Sequence, residues 1–96
     1  FNSLDAATLC AVAAAGAGAA ACELLDRTYL DVAERTSATG VERSVQAVLL
    51  IEVEGDVLHD VNDAFEACVR IARQSEAVQL TRATELADIE RVWSLR

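Results

Sequence analysis

The stretch VQAVLLIEVEGD, residues 45–56, decides the fold. Its odd positions, Val45, Ala47, Leu49, Ile51 and Val53, form one continuous apolar face at a period of two, which is the signature of a strand lying on a core. Its even positions, Gln46, Val48, Leu50, Glu52 and Glu54, are apolar only in the middle. A strand patterned this way is buried on one side and partly wet on the other, as in an open sheet with helices covering a single face. The second face is where a partner surface or a site is expected.

Around that strand the chain alternates helical and extended patterns. Ser3 is placed to cap a helix running to about Ala15, with Asp5 in its first turn and Gly16 and Gly18 ending it. Ala20 to Asp26 reads as a second strand, with Ala20, Cys22 and Leu24 on one face and Glu23 opposite. A short helix from Thr28 to Arg35 follows, its apolar side made by Tyr29, Leu30 and Ala33, with Asp31 and Arg35 an i, i+4 pair. After Gly55, Asp56 is expected to cap the longest helix, whose stripe runs through Val57, Val61, Ala64, Phe65, Cys68, Ile71 and Ala72. Val78 to Ala83 is patterned as a third strand, and Thr84 as the cap of a last helix with Leu86, Ile89, Val92 and Trp93 inward. Glu23, Gln46, Glu52, Glu54, Gln79 and Thr81 then share one side of the sheet. The expectation is an α+β, ferredoxin-like open-faced sandwich with helices on one face of a mainly antiparallel sheet, in a single domain spanning residues 1–96.

Composition narrows the function. At 96 residues the chain holds one core, and with 53% apolar residues it is not disordered. Net charge is −8, and all eight basic residues are arginines dispersed among 16 carboxylates. Nucleic acid and anionic membranes are therefore poor partners, whereas one well-placed Arg suffices for a small carboxylate. The run from Ala6 to Cys22 is mostly Ala and Gly and is shorter than the roughly 20 residues of a membrane span. Cysteines 10, 22 and 68 have no CxxC spacing and no companion histidines, so they read as buried structural thiols in a reducing, cytoplasmic setting. The chain has no Met and starts at Phe1, as an excised fragment does.

No motif supplies a catalyst. Gly16-Ala-Gly18-Ala-Ala-Ala21 matches the GxGxxA phosphate turn, but that turn needs a strand before it and a helix after it, and here the order is inverted. His59, the single histidine, sits beside Asp60 on a charged helix face with no nucleophile in reach. Glu52 and Glu54 share a strand face and read as a wet strand end. No metal ligand set and no catalytic residue follow from spacing.

Three segments carry a resemblance. ELLDRTYLD at 23–31, VLLIEVEGD at 48–56 and ERVWSLR at 90–96, in that order with a long helix between, resemble the C-terminal cap domain of FAD-linked oxidases, the group containing the glycolate oxidase flavin subunit, D-lactate dehydrogenase and D-2-hydroxyglutarate dehydrogenase. The resemblance implies a parent with a separate FAD-binding domain, in which hydride passes from a 2-hydroxy acid to flavin N5 under this cap. It implies that Arg96, matching the Arg of the family's WxxR motif, is the substrate-binding residue that fixes the carboxylate. Trp93 would anchor the helix that presents it. The family's flavin domain and His-rich motif fall outside residues 1–96, so the chain resembles the first half of a cap and is not expected to turn over substrate alone. The alternative is a non-catalytic ferredoxin-like interaction or regulatory module, with Val48 and Leu50 on the open sheet face as a homo-oligomer surface.

Overall fold

A computed structural model describes residues 1–96. In chain order it comprises α1 (Leu4–Gly16), β1 (Ala21–Asp26), α2 (Arg27–Thr36), β2 (Ala47–Glu52), α3 (Leu58–Gln74) and α4 (Leu86–Trp93). The fold is α+β, with an open antiparallel sheet of two strands.

The first half follows local signals closely. The Ala6 N–H donates to the Ser3 hydroxyl at 3.2 Å, satisfying one orphan donor of α1. The helix buries a stripe of small residues, Ala7, Cys10 and Ala14, which lets it lie close on the sheet. It ends at Gly16, and Gly18 takes φ +107° to turn the chain into β1. α2 starts where β1 stops, because the Asp26 carboxylate accepts from the Tyr29 N–H at 2.9 Å.

β1 and β2 pair from Ala21 opposite Glu52 to Asp26 opposite Ala47. That register places Cys22 and Leu24 beside Ile51 and Leu49, and Glu23 and Leu25 beside Leu50 and Val48. The first set lies under α1, where the Cys22 thiol donates to the Ala11 carbonyl at 3.9 Å. The second set is not bare. Leu25, Leu30, Val45 and Leu50 form the main apolar cluster there, with Val48, Val92, Trp93 and Leu95 packed against it. Leu50, expected as part of an oligomer surface, is thus buried by its own chain, and Val48 is half-buried.

Five local expectations are corrected. The strand at 45–56 is shorter, Ala47–Glu52, because Val45 leaves the ladder to enter the cluster while Gly55 brings the backbone against α3, where a Cβ would meet Val61 at 3.1 Å. Asp56 does not cap α3 and Thr84 does not cap α4, since the helices begin after Val57 and Glu85, neither of which makes a side-chain cap bond. Asp31 pairs with Arg27 at 2.9 Å rather than Arg35, because Arg27 is already fixed by bonds to the Arg43 and Val45 carbonyls. Val78 to Ala83 is not a strand. No backbone hydrogen bond reaches these residues, and a strand exists only where an edge is available to pair with it.

Candidate functional site

The C-terminal turn brings Arg96 and Trp93 together. Beyond α4 the chain tightens, with the Leu95 N–H donating to Val92 and the Arg96 N–H to Trp93, at 3.2 and 3.1 Å. This turn stacks the Arg96 guanidinium over the Trp93 ring, 4.9 Å from its centroid, within the range of a cation–π contact. Trp93 itself is half-buried against the apolar cluster. It therefore does hold the helix end on the sheet, and the Arg rides on it.

The guanidinium has a second partner, remote in sequence. Arg96 Nη1 donates to Glu23 Oε2 at 3.0 Å. Glu23 projects from β1 on the same sheet face as Leu25 and Leu50. The Arg96 side chain is still 59% exposed, so its remaining N–H donors stay open to a ligand.

Beside this pair lies a cleft of about 620 Å³ between α2, the loop that follows it and the end of α4. Arg91 and Arg96 supply its positive charge, and Tyr29, Thr36, Ser37, Thr39 and Ser94 its hydroxyls. Arg91 is partnered by Asp88 at 2.9 Å but largely exposed. Thr39 is pinned by Glu34, whose carboxylate accepts from the Thr39 hydroxyl at 2.5 Å and from its N–H at 3.2 Å. Those two bonds hold the Glu34 carboxyl below its ordinary range, outweighing its slight desolvation. The Thr39 and Ser94 hydroxyls already donate, to Glu34 and to the Arg91 carbonyl, so the donors left to a ligand are the two guanidinium groups and the hydroxyls of Tyr29, Thr36 and Ser37. Such a set suits a small anion.

The other candidates lie elsewhere. His59 is exposed on α3 and reaches Asp63 at 3.3 Å, one turn on, rather than Asp60. Glu54 lines a different, acidic cleft with Asp56 and Asp60, while Glu52 ends β2. Cys10 and Cys68 are buried as expected, but Cys22 is exposed. Burial pushes all three thiols up, and the fields of the neighbouring sulfurs push Cys22 and Cys68 further.

Residues 1–96 in full match the family model described as FAD linked oxidases, C-terminal domain. The chain belongs to that family. No curated protein and no solved structure gives a significant match. The family makes the parent an FAD-linked oxidoreductase, so the resemblance in the three sequence segments holds at that level.

Membership implies FAD, and the glycine turn tests whether these residues fit it. They do not. Gly18 leads from a helix into a strand, and a Cβ on it would meet the Ala64 side chain at 3.2 Å, so that face is packed on α3 rather than open to a pyrophosphate. No helix is long and apolar enough to cross a membrane.

Glu23, Arg91 and Thr39 were missed by sequence reasoning. Glu23 stands 73 positions from Arg96, and no local spacing links the two.

Proposed function

We propose that the chain is the substrate-side cap of an FAD-dependent oxidoreductase that oxidises a 2-hydroxy acid of the glycolate or D-lactate type. Arg96 is the residue that holds the substrate carboxylate, and Trp93 fixes its position. The observation that carries this reading is the stacked, half-exposed Arg96 guanidinium at the edge of a donor-lined cleft. A guanidinium presents parallel N–H donors to a carboxylate, a geometry that an ammonium does not reproduce. FAD is held by other parts of the parent, and these residues contribute binding and orientation.

The test is kinetic. Arg96→Ala in the parent enzyme removes a charge-assisted hydrogen bond, worth about 1.5–3 kcal/mol, and the Michaelis constant for the 2-hydroxy acid should rise by about 10- to 150-fold. A flavin absorption band that bleaches under anaerobic glycolate or D-lactate should accompany the unmodified enzyme. An unchanged Michaelis constant would remove Arg96 from the site, and a colourless parent would remove the oxidase reading itself.

A further inference from the structure

The two walls of the cleft beside Arg96 differ in charge. α2 forms one wall with Tyr29, Val32, Ala33 and Thr36, which recur at i, i+3, i+4 and i+7 and so share one helix face. That wall offers hydroxyls and aliphatic surface and no charge. The end of α4 forms the other wall and carries both guanidinium groups, Arg91 and Arg96. No Asp or Glu lines the cleft, although the chain has 16 carboxylates against 8 arginines.

Arg96 is fixed by Trp93 and Glu23, whereas Arg91 is held far less. Its guanidinium meets Asp88 through Nη1 at 2.9 Å, and its side chain is 75% exposed. Most of its N–H donors are therefore open to a ligand. Backbone geometry sets the spacing of the two cations. Ser94 keeps an αR conformation and the Arg96 N–H donates to the Trp93 carbonyl, so the helix narrows to a tighter turn as it ends. Residues 91 and 96 are thereby rooted roughly 8–10 Å apart along the axis, yet both reach the same cleft. Two guanidinium groups so placed suit a ligand with an anionic group at each end and uncharged carbons between, lying against Val32 and Ala33. The chain as a whole repels such a ligand, since its net charge is −8. A preference for a dianion over a monoanion therefore arises only from this local pair of cations.

We infer that Arg91 is a specificity-determining residue of the cleft, holding the far carboxylate of a 2-hydroxy dicarboxylic acid, a lactate skeleton extended at its methyl end by a second carboxylate. This rests on the reading of Arg96 as the holder of the near carboxylate and narrows the acid that it serves.

The test uses the 96-residue chain and two acids of equal carbon count, D-malate and D-2-hydroxybutyrate, which differ in a terminal carboxylate against a methyl. Titrations at fixed ionic strength follow the Nε–H resonances of Arg91 and Arg96 by NMR. D-malate should bind about fivefold more tightly, the upper end for an exposed ion pair, and should shift both resonances. D-2-hydroxybutyrate should shift that of Arg96 alone. Arg91→Gln, at a surface position that the fold tolerates, should bring the two affinities together. Equal affinities in the unaltered chain, a malate preference that persists in Arg91→Gln, or an Arg91 resonance that neither acid moves would each overturn the inference. The reading it rests on fails differently. D-2-hydroxybutyrate binding to Arg96→Ala as well as to the unaltered chain would remove Arg96 as the near holder, and the ratio of the two acids would still decide Arg91.

Discussion

Replacing Glu23 by Gln separates two roles that the Arg96 guanidinium is asked to play. In the structure Glu23 already occupies one carboxylate position on Arg96, at 3.0 Å. If Arg96 holds the substrate carboxylate, the substrate has to displace Glu23 or share the guanidinium with it. Both side chains are partly solvated, at 59% and 35% exposure, so the internal pair falls in the range of exposed ion pairs, about 0.2–1 kcal/mol. Glu23→Gln in the parent should then lower the Michaelis constant by about 1.4- to 5-fold with kcat unchanged. The effect should vanish in an Arg96→Ala background, because no competition remains. Emission from Trp93, the single tryptophan of residues 1–96, checks in the 96-residue chain that the C-terminal turn stays docked in each variant. A Michaelis constant that rises in Glu23→Gln would refute the reasoning and make Glu23 a support for Arg96 rather than its competitor.

Other outcomes follow from packing and ionisation. Leu30 is 1% exposed at the centre of the main cluster, so Leu30→Ala should cost about 3 kcal/mol in urea unfolding; Leu9→Ala, at a residue 70% exposed, should change stability by less than about 0.5 kcal/mol. The Glu34 carboxyl titrates below its ordinary 4.5 because of Thr39. Its contribution to stability is therefore present above the unfolded value and lost as pH falls through the folded one. Thr39→Val removes the hydroxyl bond and keeps the backbone one, so the Glu34 titration, followed by carboxyl NMR, should move part of the way back towards 4.5, and an unmoved curve would reject the Thr39 hydroxyl as the main cause. Burial raises all three thiols above 9.0, so the unfolded chain loses those protons first. Stability should decline as pH rises from 9.0 through the folded values, measured as a falling urea midpoint. At neutral pH a thiol reagent should modify Cys22 ahead of Cys10 and Cys68.

What the sequence determined by itself is everything governed by neighbours along the chain. Ser3 caps α1 because its hydroxyl meets an N–H three residues on. The glycines end α1, and the period of two around Leu49 makes β2, because these effects act within a turn or along one strand. The family-bearing segments were legible for the same reason. Sequence could not decide what covers the even face of β2, since Leu50 and Val48 look half-wet until Leu30 and Trp93 arrive from distant helices. Nor could it show that Arg96 is met by Glu23, that three separated cysteines share one region, or that Val78 to Ala83 lacks an edge to pair with. Pairing and burial are set by which surfaces meet in space, and a strand-like pattern becomes a strand only when another backbone offers its hydrogen bonds.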